Sequence, residues 1–310
     1  RESWMGVTTD ADAAEYAEWL LAQVRRFRRQ GAPLDYISVA NEPSYSRNPM
    51  SGEFVRDVIR NLGPRLEAEG LRVPFVVPDD VRSSSGAAVA ATVLADPVAR
   101  SYVGALATHL YDEPVTRVSS MRGLAERYGL PLWMTEFSLS AMGSAGRGSE
   151  PIDWAVLMHD LLARYDVAAI DYFWGFIGAG SGSSLISLHL ANGTYTGFSR
   201  NKVYYYFGQF SRFVRPGATR VSAATSDDRI RVSAYFRGPD RVLVAVNPGD
   251  SPVRTRLSAA DLAGVRAMSA TRTSPTEDWA KLPATDVSGA SISVTLPARS
   301  ATTFTGEAAP

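Results

Sequence analysis

Cysteine is absent from the 310 residues, which excludes disulfides and thiolate metal sites but leaves an extracellular home open. Lysine is almost absent too: Lys202 and Lys281 are the only two, so nearly every basic residue is arginine. With abundant alanine, that is the mark of a coding bias rather than of an arginine-specific function. Neither charge is in surplus, since 32 basic residues face 32 acidic ones. No nucleic-acid partner and no anionic membrane surface are therefore expected. No run approaches the roughly 18 consecutive apolar residues of a membrane span. Histidine is scarce, and the chain carries no metal-spaced cluster of His, Asp or Glu, so neither a metal nor a cofactor is expected. What is present is a 45% hydrophobic content over a length ample for a large core and more than one domain.

From about residue 10 to 215 helical and strand-like periods alternate. Ala13, Tyr16, Ala17, Leu20, Val24 and Phe27 recur at three-and-four spacing, predicting an amphipathic helix over 11–29. The next helix carries Val55, Ile59, Leu62 and Leu66 on one face and is interrupted at Gly63-Pro64. Further helices are expected over 85–100, 117–128, 153–165 and 201–214. Between them lie short, nearly continuous apolar runs beginning near residues 34, 73, 103, 130 and 168. Runs of that kind are strands covered on both faces, and a repeat of a little over 30 residues is one strand-helix unit of a parallel sheet. An open doubly wound sheet fits the same alternation, but no nucleotide fingerprint supports it. Gly178-Ala179-Gly180-Ser181-Gly182 lacks the spacing of a phosphate loop and follows the last strand, so it reads as a substrate loop.

After Gly217 the pattern changes to short alternating segments separated by turn chemistry such as Gly238-Pro239-Asp240 and Asn247-Pro248-Gly249-Asp250. The segments 219–224, 229–236, 241–246, 265–271, 291–296 and 301–305 predict an all-β sandwich. The expected organisation is thus an α/β domain over 1–215 followed by a β-sandwich side domain over 216–310.

Two glutamates sit where a buried strand runs out into a polar turn. Glu42 follows Ile37-Ser38-Val39-Ala40-Asn41, and Glu136 follows Leu132-Trp133-Met134-Thr135. In a parallel barrel the strand ends open on one face, so the two carboxylates converge across it. Such a pair is what glycoside hydrolysis uses. Taken singly, each has a plain alternative: Asn-Glu-Pro as a solvated turn, and Glu136 as an exposed acid closing a strand.

The segments Ile37–Pro43 and Leu132–Phe137 resemble the fourth- and seventh-strand motifs of clan A glycoside hydrolases, and glycoside hydrolase family 30 in particular. Thr108-His109-Leu110-Tyr111 is similar to that family's sixth-strand motif. Tyr205–Gly217 is similar to its last barrel helix leading into a side β-domain. The resemblance implies a partial (β/α)8 TIM barrel, strands 4–8, with the side sandwich. It implies a retaining glycosidase in which Glu42 is the general acid/base and Glu136 the nucleophile. Asn41 is placed to bond the sugar 2-hydroxyl, and Tyr111 to hold the nucleophile through its phenol. Trp174 is either a stacking floor for a sugar ring or a core tryptophan, and Trp4 is a further candidate for the mouth. His109 is either a scaffold residue or a substrate contact.

A barrel of this type has eight strands, and five are legible here. The match begins near Ser3-Trp4-Met5, so the chain is expected to lack the first three strand-helix units and to be part of a longer product. A polysaccharide or oligosaccharide is the expected partner. Secretion is expected, with any signal segment outside these residues. The resemblance spans glucuronoxylanases, β-1,6-galactanases, β-1,6-glucanases and glucosylceramidase-like exo enzymes. Glucuronoxylan-specific members resemble one another in an arginine near the loop after the last barrel strand. Residues 175–184 hold neither arginine nor lysine, with Arg200 the nearest candidate downstream. That favours β-1,6-galactan or a related β-glycan over xylan. A non-catalytic carbohydrate-binding remnant is the competing expectation.

Overall fold

The computed structural model describes residues 12–45, 49–138, 150–178 and 184–309. Its chain divides into two compact units, one within Arg1–Ala145 and Tyr165–Phe173, the other within Gly146–Arg164 and Trp174–Pro310.

The first unit alternates α1 (Ala13–Arg29), β1 (Ile37–Ser38), α2 (Gly52–Ala68), β2 (Phe75–Asp80), α3 (Ser83–Ala95), α4 (Pro97–Arg100), β3 (Val103–His109), α5 (Val118–Tyr128), β4 (Leu132–Glu136) and β5 (Val167–Ile170). The five strands make one parallel sheet in chain order, β1-β2-β3-β4-β5. Phe75, Val77, Ala105, Leu106, Leu132 and Met134 are buried. Their removal from water, worth about 1.5–3 kcal/mol for each large side chain, drives the sheet to accept helices. Ala13, Ala17, Leu20, Leu21 and Val24 form the buried stripe of α1, the face that the three-and-four spacing predicts except at Phe27, which is exposed.

Two boundaries differ from expectation. Helix α2 does not stop at Gly63-Pro64 but runs through to Ala68, with Pro64 inside it. Leu62 and Leu66 are buried on either side of that point. Gly63 lies so close to the Tyr102 ring that a Cβ would come within 2.4 Å of it. The glycine is thus a packing notch, and burial outweighs the helix-breaking tendency of the pair. The helix expected over 85–100 is cut in two at Asp96, whose carboxylate accepts from the Val98 and Ala99 amides at 2.9 and 2.8 Å. With Pro97 in the first position, this is a fresh helix start.

In the second unit α6 (Ile152–His159) runs into a π turn, Asp160–Arg164. A three-stranded sheet of β6 (Phe176–Gly178), β7 (Ile186–Ala191) and β8 (Thr194–Arg200) follows, then α7 (Lys202–Ser211). The antiparallel strands after it are β9 (Thr219–Val221), β10 (Ala223–Thr225), β11 (Arg231–Arg237), β12 (Asp240–Asn247), β13 (Val253–Ala259), β14 (Ala267–Ser274), β15 (Glu277–Asp286), β16 (Ser291–Leu296) and β17 (Ser300–Glu307). They form a six-stranded sheet, β15-β14-β17-β12-β11-β9, and a three-stranded one, β10-β13-β16. Leu243, Leu257, Met268, Ile292 and Phe304 are core residues drawn from both sheets, as in a sandwich.

The Tyr205–Gln209 stretch of α7 explains itself physically. Gln209 is buried, donating to Thr273 Oγ1 at 2.8 Å and accepting from Thr303 Oγ1 at 2.7 Å. The Tyr206 phenol donates to the Arg299 carbonyl at 2.6 Å. Gly208 leaves room for the Trp279 indole, whose Cζ2 would meet a Cβ at 2.1 Å. The Trp279 Nε1–H donates to the Tyr205 carbonyl at 2.8 Å. Helix and sheet are pinned by satisfied buried polar groups as well as by apolar contact.

Candidate active site

All of the chemistry in the first unit gathers where its parallel strands end. Glu42 lies in the turn after β1, Asp79 and Asp80 close β2, His109 closes β3, and Glu136 is the last residue of β4. Successive parallel strands place these residues side by side, which no spacing along the sequence reveals. Glu42, His109 and Glu136 each present one oxygen or nitrogen, and the three atoms lie within 4.8 Å of one another. Glu42 Oε1 is bonded by the His109 ring and Glu136 Oε1 by the Tyr111 phenol, so the group is a hydrogen-bonded acid set. No other gathering of three such residues is found among the described residues.

The two glutamates are held differently. The Tyr111 phenol donates to Glu136 Oε1 at 2.8 Å. Burial and that hydrogen bond push the Tyr111 phenol well above its ordinary pKa, so it stays protonated and donating. Glu42 Oε1 lies 2.9 Å from His109 Nδ1. His109 Nε2 lies 3.3 Å from Asp79 Oδ1, the oxygen that also accepts from Thr135 Oγ1 at 2.6 Å. Burial pulls the His109 ring down, but its hydrogen bonds to Asp79 and Glu42 and the charges of Asp79 and Glu136 outweigh it and raise its pKa. Burial likewise pushes the Asp79 carboxyl up, yet the bonds from His109 and Thr135 hold it below its ordinary range. Asp171, beyond β5, is raised by burial and by the charge of Asp79.

The backbone is shaped for this. Glu42 and Asp79 both take left-handed conformations, φ 50° and 64°, each at a cost on the order of 1–3 kcal/mol for a non-glycine residue. They are tied together by the Glu42 amide, which donates to the Asp79 carbonyl at 2.9 Å. Asp80 is buried and receives the Ser44 amide at 3.0 Å, the Ser44 hydroxyl at 2.7 Å and the Ser85 hydroxyl at 2.7 Å. Adjacent aspartates thus fix the Glu42 turn from two sides. Pro78-Asp79-Asp80 reads in sequence as a strand-closing turn, and nothing linear marks either residue as part of the site.

Of the other residues singled out from the sequence, Asn41 is exposed beside Glu42. His109 is 1% exposed with both ring nitrogens occupied. Both nitrogens are thus turned toward protein carboxylates, the arrangement of a scaffold residue. Trp174 belongs to the second unit and is 40% exposed, which excludes a core tryptophan. Trp4 and residues 179–183 lie outside the described residues. A cavity of about 450 Å³ opens at the other end of β2 and β3, among Leu66, Glu67, Val73, Tyr102 and Val103. Its one carboxylate, Glu67, already accepts from the Tyr102 phenol at 3.0 Å, so it offers no acid pair.

A parallel β/α sheet with two glutamates converging at its strand ends, and antiparallel sheets after it, has the architecture of the β/α glycoside hydrolases. No protein-family model matches the chain. It is 28% identical over 299 residues to glucuronoxylanase XynC of Bacillus subtilis (strain 168), covering 94% of this chain and 65% of that protein. It is 25% identical over 233 residues to an endo-1,6-beta-D-glucanase of Neurospora crassa, covering 70% of this chain and 46% of that protein. The solved structure of Xyn30A, a glycoside hydrolase family 30 subfamily 8 xylanase from Clostridium acetobutylicum, superposes with a TM-score of 0.78 at 27% identity. That match covers 96% of this chain and 72% of the solved one. Over nearly its whole length the chain is thus similar to a solved enzyme of glycoside hydrolase family 30. It spans about half to two thirds of the length of the curated relatives it matches.

Proposed function

We propose that this chain carries the catalytic centre of a retaining endo-β-glycanase, with Glu136 as nucleophile and Glu42 as general acid/base. The observation that carries the reading is the approach of the two carboxylates, oxygen to oxygen within 4.8 Å. Carboxyl groups about 5–5.5 Å apart suit a double displacement, whereas inversion needs about 6.5–9.5 Å to seat a water. A Glu136 oxygen attacks the anomeric carbon as the glycosidic bond breaks, and the leaving oxygen takes the proton of Glu42. Water then attacks the glycosyl-enzyme ester, giving its proton back to Glu42 and releasing Glu136. Tyr111, donating to Glu136 Oε1, steadies the nucleophile.

For substrate, a neutral β-glycan with β-1,6-galactan in first place is the favoured reading, acted on outside the cell where polymers of that size are met. It rests on residues 175–184, which offer no cation to a glucuronate. Glucuronoxylan is the second reading, favoured by the similarity to XynC. Incubation with β-1,6-galactan, β-1,6-glucan and glucuronoxylan separates them. New reducing ends on the neutral glycans, with oligosaccharide products, are expected. Cleavage of glucuronoxylan alone would replace the first substrate with the second. Monosaccharide as sole product would mean exo action, and binding with no new reducing ends would leave a carbohydrate-binding module.

A further inference from the structure

Asp79 has no part in the double displacement, yet it is half of the strained pair of residues at the site and, among the described residues, the one carboxylate besides Glu42 bonded to the His109 ring. We infer that Asp79 is a positioning residue which, through the buried His109 ring, fixes the Glu42 oxygen nearest that ring and leaves the other to meet the leaving group. This rests on the acid/base reading of Glu42.

The chain of donors fixes the tautomer. Asp79 Oδ1 accepts from Thr135 and faces His109 Nε2, so Nε2 must carry hydrogen. Nδ1 is then left for Glu42 Oε1 at 2.9 Å. A neutral ring can only accept there, which draws the proton of Glu42 onto Oε1, away from any leaving group. An imidazolium donates instead, and it suits both halves of the cycle. It bonds the carbonyl oxygen of the protonated acid, whose proton then sits on Oε2, and afterwards it bonds the carboxylate. Within this site a charged ring is therefore the productive one, and Asp79 is the anion that sustains it.

Several charges face the ring and its partner. Glu42 comes from the turn after β1, Asp79 from β2, and Glu136 from β4. Tyr111 lies just beyond β3, and Asp171, beyond β5, faces Asp79. The negative charge of Asp79 favours the proton on the His109 ring, so its loss moves the ring's deprotonation to lower pH. Since the charged ring is the productive one, the alkaline limb of kcat/KM follows it downward.

The test is ring-selective NMR titration beside a pH–rate profile, on the wild-type chain and on Asp79→Asn. Three histidines make the spectrum simple, and His109→Asn assigns the signal. In the wild type the His109 ring is expected to carry hydrogen on Nε2 and to titrate above the ordinary value of about 6.5. In Asp79→Asn the titration and the alkaline limb are expected to move down together, by about one unit. The kcat is expected to fall about 10- to 100-fold with KM little changed, the scale of a weakened acid/base step. A wild-type ring that titrates below 6.5, or carries hydrogen only on Nδ1, overturns the inference even if the variant does not fold. So does a folded Asp79→Asn with both titration and limb unmoved. If Glu42→Ala turns over as fast as wild type, it is the acid/base reading that fails. An impaired Glu42→Ala beside an unaffected Asp79→Asn removes this inference alone.

Discussion

Replacing Glu136 with alanine is expected to abolish turnover on every substrate, activated or not, by on the order of 10⁴-fold or more. The reason is geometric. Glu136 ends β4 with one oxygen held by Tyr111, and its carboxylate lies across from Glu42. No other carboxylate is gathered with that pair among the described donors of the cluster. Asp79 is committed to His109 and Thr135, so it cannot step in. Because the missing group forms the covalent bond, a better leaving group does not help. The measurement is steady-state hydrolysis of the polymer and of an aryl β-glycoside by the same variant. Loss on the polymer with retained aryl hydrolysis would reverse the roles of the two glutamates.

The second large effect is expected at Glu42, with the opposite substrate dependence. Glu42→Ala removes proton donation, which is worth about 10²–10⁴-fold when the leaving oxygen is a poor one. With an activated aryl leaving group that needs little protonation, formation of the glycosyl-enzyme should be nearly unimpaired and its hydrolysis should limit the rate. Azide, which attacks without a general base, is then expected to restore turnover and to yield a glycosyl azide of retained configuration. In Glu136→Ala, azide filling the vacated space would displace an activated leaving group directly, so any glycosyl azide formed there should have inverted configuration. Equal losses on activated and unactivated substrates, with no azide effect, would remove Glu42 from the acid/base role.

What the sequence discloses follows from which physics leaves a linear trace. Strand-end carboxylates do: Glu42 and Glu136 each close an apolar run with a polar turn, and the period of the repeat implies that the ends share a face. The central strands β2 and β3 are equally plain because both of their faces are buried. The Asp79–His109 link is not plain, since it is made between neighbouring strands and each residue alone has a bland explanation. In the second unit β15 goes unmarked because most of its residues are part-exposed or exposed, so no apolar alternation accumulates. The β6–β8 sheet is obscured for a different reason. Its large apolar residues, Phe176, Leu190, Tyr195 and Phe198, are exposed, and the glycine-rich segment beside it resembles a loop. The strand Val253–Ala259 does alternate between buried and exposed positions, but the turn chemistry of Asn247–Ser251 just before it hides its start.

The central claim, that Glu42 and Glu136 act as a closely spaced pair through a covalent intermediate, is tested most directly by the configuration of the first sugar released. Proton NMR of a β-glycan digest, recorded before mutarotation, reads it. The β-anomer is expected to appear first, with the α-anomer growing in only as mutarotation proceeds. An α-anomer formed first would mean that water displaces the leaving group directly, and would contradict both the nucleophile assigned to Glu136 and the meaning given to the 4.8 Å approach.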